Sequence, residues 1–224
     1  MNALELINIG TKELQQKNIG TSRLDSELLL SKILNKKREE VLINLNQKIS
    51  KRDFSKYKNY IERRSQKEPI AYILEEKEFW NKSFFVSSDT LIPRPETELL
   101  VEKLIEIFKD KKISILDIGT GSGCILISLL GELINSRGVG IDISKKALVV
   151  AKKNAKKHKI SNNIKFVYKS LNHKICQKFD LIVSNPPYIE SNQIEYLMED
   201  VKNFEPRIAL DGGNDGLDLI KKVI

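Results

Sequence analysis

The segment Phe179-Asp180-Leu181-Ile182-Val183-Ser184-Asn185-Pro186-Pro187-Tyr188 runs an apolar strand directly into a polar, proline-rich stop. The side-chain oxygen of Asn185 and the carbonyl of Pro186 can each accept one N–H of a planar NH2 group. That pairing suits an amide or an exocyclic amino nitrogen. Its lone pair is delocalised, so it reacts only when it is oriented and its developing charge is met by fixed acceptors. Pro186 and Pro187 stiffen the backbone so that the carbonyl faces inward, and Tyr188 offers a flat surface for packing the acceptor. A proline turn without a ligand is the plainer reading of the same residues. The tetrapeptide alone does not separate a side-chain amide from adenine.

Asp117-Ile118-Gly119-Thr120-Gly121-Ser122-Gly123 is the second constellation. Glycines at 119, 121 and 123 let the backbone turn tightly and approach a ligand without an intervening side chain. Cys124 stands where a dinucleotide fingerprint places its last glycine. Asp142 ends the next strand, where a carboxylate can accept from both hydroxyls of a ribose. Adenosine without a pyrophosphate fits this set better than a dinucleotide does. Beside such a cofactor, an amide nitrogen attacks a methyl sulfonium poorly, and the acceptors at 185 and 186 answer that difficulty.

These residues need a sheet edge to bring them together. Residues 113–118, 138–142, 164–168 and 179–184 read as short buried strands alternating with helices at 125–134 and 144–158. Such alternation predicts an α/β fold, a Rossmann-like doubly wound parallel sheet covered on both faces. Residues 1–82 read instead as a small helical domain without strand-like alternation. There, Thr21 and Ser22 precede an apolar stripe of Leu24, Leu28, Leu29 and Ile33, and a helix over 52–64 turns Phe54, Tyr57 and Ile61 to one side. Residues 83–112 join the two as a linker and helix, and 113–224 form the sheet domain.

Composition narrows the function classes. No apolar run approaches the length of a membrane span, and the amino terminus lacks a signal-peptide layout, so a cytoplasmic location without membrane contact is expected. Cys124 and Cys176 read as reduced thiols, and His158 and His173 stand too isolated for a metal site, so no metal is expected. The net charge of +8 is spread along the whole chain rather than gathered into an aromatic-interleaved patch. Direct nucleic-acid binding is therefore not expected.

The flanking motifs carry a resemblance. Leu91-Ile92-Pro93-Arg94-Pro95-Glu96-Thr97-Glu98, the glycine loop, Ser184 to Ile189, Phe204-Glu205-Pro206 and Asp211-Gly212-Gly213-Asn214-Asp215-Gly216-Leu217 together resemble the HemK/PrmC family. Its members are N5-glutamine methyltransferases of peptide chain release factors. Leu24-Asp25-Ser26-Glu27-Leu28-Leu29-Leu30 and Glu68-Pro69-Ile70-Ala71-Tyr72-Ile73 match in the helical region as well. The resemblance implies that Gly119, Thr120, Gly121, Ser122, Gly123 and Asp142 hold S-adenosylmethionine, with Asn185 beside it. It implies that Asn185, Pro186, Pro187 and Tyr188 hold a glutamine of a Gly-Gly-Gln loop, and that Asn185, Pro186 and Tyr188 serve catalysis. A release factor is the partner it implies, docked with help from the helical region.

Two stretches depart from the family pattern. Tyr168-Lys169-Ser170-Leu171 lacks the acidic residue that usually follows the third strand, so no adenine-contacting residue is assigned. The chain also ends at Ile224, where the family fold, of strand order 3-2-1-4-5-7-6, continues with three further strands. The expectation is a sheet truncated at its fourth strand, whose edge invites aggregation. An N6-adenine methyltransferase and an inactive truncated binding module are the alternatives.

Overall fold

The computed structural model describes residues 1–171 and 177–224, so Cys176 and His173 lie outside the described residues. It divides into two compact units, Met1–Leu74 and Glu75–Ile224. The division falls before residue 82, the expected boundary, because residues 77–84 are a β-hairpin that belongs to the second unit. No helix among the described residues is long and apolar enough to cross a membrane.

The first unit is helical: α1 (Ala3–Gln16), α2 (Ser22–Leu34), α3 (Arg38–Ile43), α4 (Lys51–Ser65) and α5 (Ile70–Leu74). Asn2 and Glu5 close a reciprocal capping box at the start of α1, satisfying two otherwise orphaned N–H groups. Leu6, Ile7, Leu14, Leu29, Leu30, Tyr57 and Ile61 form its core. The inner face of α2 differs from the expected leucine stripe. Leu24 is exposed, whereas Asp25 and Ser26 are buried. Their partners come from α4: Arg64 Nε donates to Asp25 Oδ2 at 2.7 Å, and the hydroxyls of Ser26 and Tyr57 meet at 2.5 Å. Thr21 donates to the Asp25 carboxylate and caps no backbone group of α2.

The second unit opens with the antiparallel pair β1 (Lys77–Phe79) and β2 (Lys82–Phe84). Trp80 and Asn81 both take a left-handed φ of 51°, the geometry of a two-residue hairpin turn. Phe79 and Phe84 are buried edge to face, and Phe84 also stacks on His158. Then follow α6 (Thr97–Phe108), β3 (Ser114–Ile118), α7 (Cys124–Glu132), β4 (Arg137–Asp142), α8 (Lys145–Lys157), β5 (Ile164–Tyr168) and β6 (Leu181–Ser184). The four longer strands pair in parallel in the order β5-β4-β3-β6, the α/β sheet that the strand–helix rhythm predicts. Ile115 packs into a core with α7, whereas its neighbour Leu116 joins Ile141 on the other side. The sheet thus buries side chains on both faces, the second only in part, since Ile182 lies beside Leu116 there. Among the described residues β6 pairs only with β3, and Ile182 on it is half exposed.

Register decides where the chemistry gathers. Ile118 lies opposite Ile141 on one side and Ser184 on the other. In a parallel sheet the carboxyl ends share one edge. The glycine loop after β3, Asp142 at the end of β4 and Asn185 after β6 are thus neighbours by topology.

Candidate cofactor and acceptor site

A cavity of about 370 Å³ opens at this edge, lined by Gly119, Thr120, Gly121, Ser122, Asp142, Asn185, Pro186 and Pro187 among others. Gly123 does not line it. A Cβ on Gly119 would meet nothing within 4 Å, and one on Gly121 would meet only the Gly119 carbonyl at 3.9 Å, so these two present bare backbone to open space. Gly123 differs: a Cβ there would press on Ile127 at 3.0 Å and on Ala151 at 3.3 Å. Its glycine serves the close packing of α7 on α8.

Four of the loop's N–H groups are already engaged. Gly119 and Thr120 both donate to the Ile141 carbonyl, Gly121 donates to Asp142 Oδ2 at 2.9 Å, and Gly123 donates to the Thr120 carbonyl. A phosphate cradle needs such groups free to face its anion. This loop therefore suits an adenosine ligand without a pyrophosphate.

Asp142 is positioned from both sides, since Ser144 N donates to its Oδ1 at 2.8 Å. Burial raises its pKa, against the lowering effect of those backbone donors. Each oxygen keeps a lone pair for a ribose hydroxyl. Beneath the loop, Asp117 is fully buried, and Thr120 Oγ1 donates to its Oδ2 at 2.6 Å. Asp117 Oδ1 has no partner among the described residues. Burial pushes this carboxyl up to about 7, and the Asp142 charge adds to the rise. Asp117 does not line the cavity, so of the two Asp142 is the carboxylate that faces it.

A second hollow of about 330 Å³ involves Arg94, Thr97, Leu100, Ser184, Asn185 and Tyr188. Tyr188 faces this hollow and not the first, while Asn185 borders both. Asn185 Nδ2 donates to Thr97 Oγ1 at 3.4 Å, and its Oδ1 accepts nothing from the described residues. The Pro186 carbonyl likewise makes no hydrogen bond within the described residues. Two adjacent residues lining the main cavity therefore carry unused acceptors, and Asn185 also borders the second hollow.

The walls are pinned at long range. Arg94 Nη2 donates to Glu205 Oε1 at 2.7 Å, and Ile92 N donates to Glu205 Oε2 at 3.2 Å. Glu205 is buried, which raises its pKa, while the Arg94 guanidinium opposes the rise. Behind Tyr188, a Cβ on Gly216 would fall 2.5 Å from the Tyr188 carbonyl, and Ile189 pairs with the 210–212 segment through two backbone hydrogen bonds. Sequence reading quoted Arg94, Thr97, Glu205 and Gly216 within motifs but gave them no role in the site. It also assigned no adenine contact; Lys169, Ser170 and Leu171 are among the residues that line the main cavity.

Comparison with known proteins gives the family. Residues 5–74 match the family model described as the PrmC N-terminal domain, and residues 93–202 match the methyltransferase small domain. The chain is 44% identical over 202 residues to the release factor glutamine methyltransferase of Buchnera aphidicola subsp. Schizaphis graminum, covering 90% of this chain and 73% of that protein. It is 37% identical over 212 residues to the protein of the same name from Geobacter sulfurreducens, covering 94% and 74%. A bifunctional methyltransferase of Rickettsia typhi is 38% identical over 235 residues, and there the chain spans 96% of itself but only 45% of the relative. Among solved structures, the hMettl16 catalytic domain in complex with MAT2A 3'UTR hairpin 6 aligns with a TM-score of 0.51 at 19% identity. That alignment covers 73% of this chain and 61% of the other, a likeness of fold.

Proposed function

Since the chain belongs to the release factor glutamine methyltransferase family and has the class I S-adenosylmethionine methyltransferase fold, we propose that it methylates the side-chain amide N5 of a glutamine. The acceptor is the glutamine of the Gly-Gly-Gln loop of a peptide chain release factor, and the reaction takes place in the cytoplasm. S-adenosylmethionine is the methyl donor. The single observation that carries the reading is the pair of unused acceptors, Asn185 Oδ1 and the Pro186 carbonyl, on adjacent residues that line the main cavity.

The residues present fit this cofactor. Bare backbone at Gly119 and Gly121 admits it, Asp142 takes the ribose hydroxyls, and Leu171 packs beside its adenine. When bound, it supplies an electrophilic methyl group activated by a sulfonium. The chain's own contribution lies on the acceptor side. Asn185 Oδ1 and the Pro186 carbonyl take one N–H each, which aims the amide nitrogen and meets the positive charge it gains. Tyr188 packs on the amide plane, and Thr97 restrains the Asn185 side chain. The helical unit Met1–Leu74 contributes surface for the release factor.

Labelled S-adenosylmethionine offered with a purified release factor, and separately with DNA and RNA, tests this reading. Label in the factor's Gly-Gly-Gln peptide supports it; label in adenine alone overturns it.

A further inference from the structure

The side chain of Asn154, on α8, is fully buried and fully committed. Its Oδ1 accepts from Phe85 N at 2.7 Å, and its Nδ2 donates to the Phe85 carbonyl at 2.9 Å and to the Ser122 carbonyl at 2.9 Å. The amide thus pairs with both main-chain groups of Phe85 as a neighbouring strand would. Its remaining proton goes to the glycine loop. Both segments are walls of the main cavity: Ser122 lies in the loop, and the stretch leaving Phe85 continues to Asp89, Thr90 and Leu91. Asn154 itself does not line the cavity.

We propose that Asn154 is a positioning residue for the cofactor: one buried amide sets the spacing between the glycine loop and the 85–91 segment, and with it the width of the cavity. The proposal rests on the reading that this cavity holds S-adenosylmethionine. No other common side chain reproduces its set of one acceptor and two donors at that reach. An aspartate has the same outline but turns a charged oxygen toward two carbonyls. A general loss of packing would lower stability and raise every constant together. A change in cavity width acts on the cofactor and spares the acceptor.

The test is calorimetric titration of the full chain with S-adenosylhomocysteine, alongside thermal melts and the KM for the acceptor. Asn154→Asp is expected to weaken binding by roughly 10- to 100-fold at pH 8, with the acceptor KM unchanged. Part of that loss should return near pH 5.5, where a protonated carboxyl regains one donor. Asp117 and Asp142 at the loop titrate too, so each value is taken against the unaltered chain at the same pH. If Asn154→Asp does not fold, Asn154→Ser, too short to reach both segments, serves in the same comparison. A folded variant that binds within twofold of the unaltered chain overturns the proposal. So does a loss that leaves cofactor affinity and acceptor KM changed equally. If the unaltered chain binds no S-adenosylhomocysteine, the cofactor reading fails and this inference falls with it.

Discussion

Arg94 and Glu205 meet at 2.7 Å although 111 positions separate them in the chain. Glu205 is nearly inaccessible, whereas the Arg94 side chain keeps a third of its surface in water. The pair is therefore asymmetric: removing the arginine strands a buried carboxylate, and removing the carboxylate strands a partly solvated cation. Arg94→Ala should destabilise the protein by about 2–3 kcal/mol at pH 8, below the full cost of breaking a deeply buried pair. Without Arg94 the raised pKa of Glu205 moves further up, so the loss should shrink as pH falls from 8 toward 5 and the carboxyl takes up a proton more readily. Denaturant melts at both pH values check the size and the sign.

Asp142 holds the loop through Gly121 N, and in the proposed reading its remaining lone pairs take the ribose hydroxyls. Asp142→Ala should weaken cofactor binding by ~1.5–3 kcal/mol, the scale of two hydrogen bonds to a charged acceptor. Calorimetry on the folded variant measures this directly. Unchanged affinity would remove Asp142 from the site.

The buried carboxyl of Asp117 gives a pH dependence with a definite sign. Its folded-state pKa of about 7 exceeds the ordinary value of 3.8, so the folded protein holds a proton that the unfolded chain has released. Its contribution to stability therefore falls as pH rises from about 4 to about 7, by at most roughly 4 kcal/mol. Asp117→Asn keeps an acceptor for the Thr120 hydroxyl and removes the titration. Stability measured across that window should fall less steeply in the variant than in the unaltered chain. Parallel curves would contradict the assignment.

Gly216 packs directly behind the Tyr188 carbonyl. Gly216→Ala adds a methyl group into that contact, at a backbone φ of +73° that alanine adopts at a cost. The Tyr188 side of the acceptor hollow should shift, raising the acceptor KM several-fold while cofactor affinity stays the same. Steady-state kinetics set beside calorimetry separates the two effects.

What could be read from the sequence was whatever acts locally. The strands were legible because parallel strands buried on both faces are continuous apolar runs, as at Ile115, Leu116 and Ile118. That Asn185, Asp142, Gly119 and Gly121 share one sheet edge was legible because each stands at or just after a strand end that the pattern itself marks, whereas Gly123 turned out to serve packing. The hairpin at 77–84 was not, since its strands are three residues long and its left-handed turn is Trp80-Asn81 rather than a glycine pair. The burial of Asp25 could not be read either, because its partner Arg64 lies 39 positions away. Thr97, Asn154 and Glu205 share that cause: each acts through a contact that exists only once the chain has folded.

The measurement that bears most directly on the account is methyl transfer by the Asn185→Ala variant into an intact release factor, with the product mapped by mass spectrometry. The unaltered chain should place one methyl group on the glutamine of the Gly-Gly-Gln loop. Asn185→Ala should lower that turnover by roughly 10²–10³-fold, the effect of losing one preorganised polar partner, with release-factor and cofactor affinity largely retained. Turnover that survives the substitution, or a methyl group found on another residue, would contradict it.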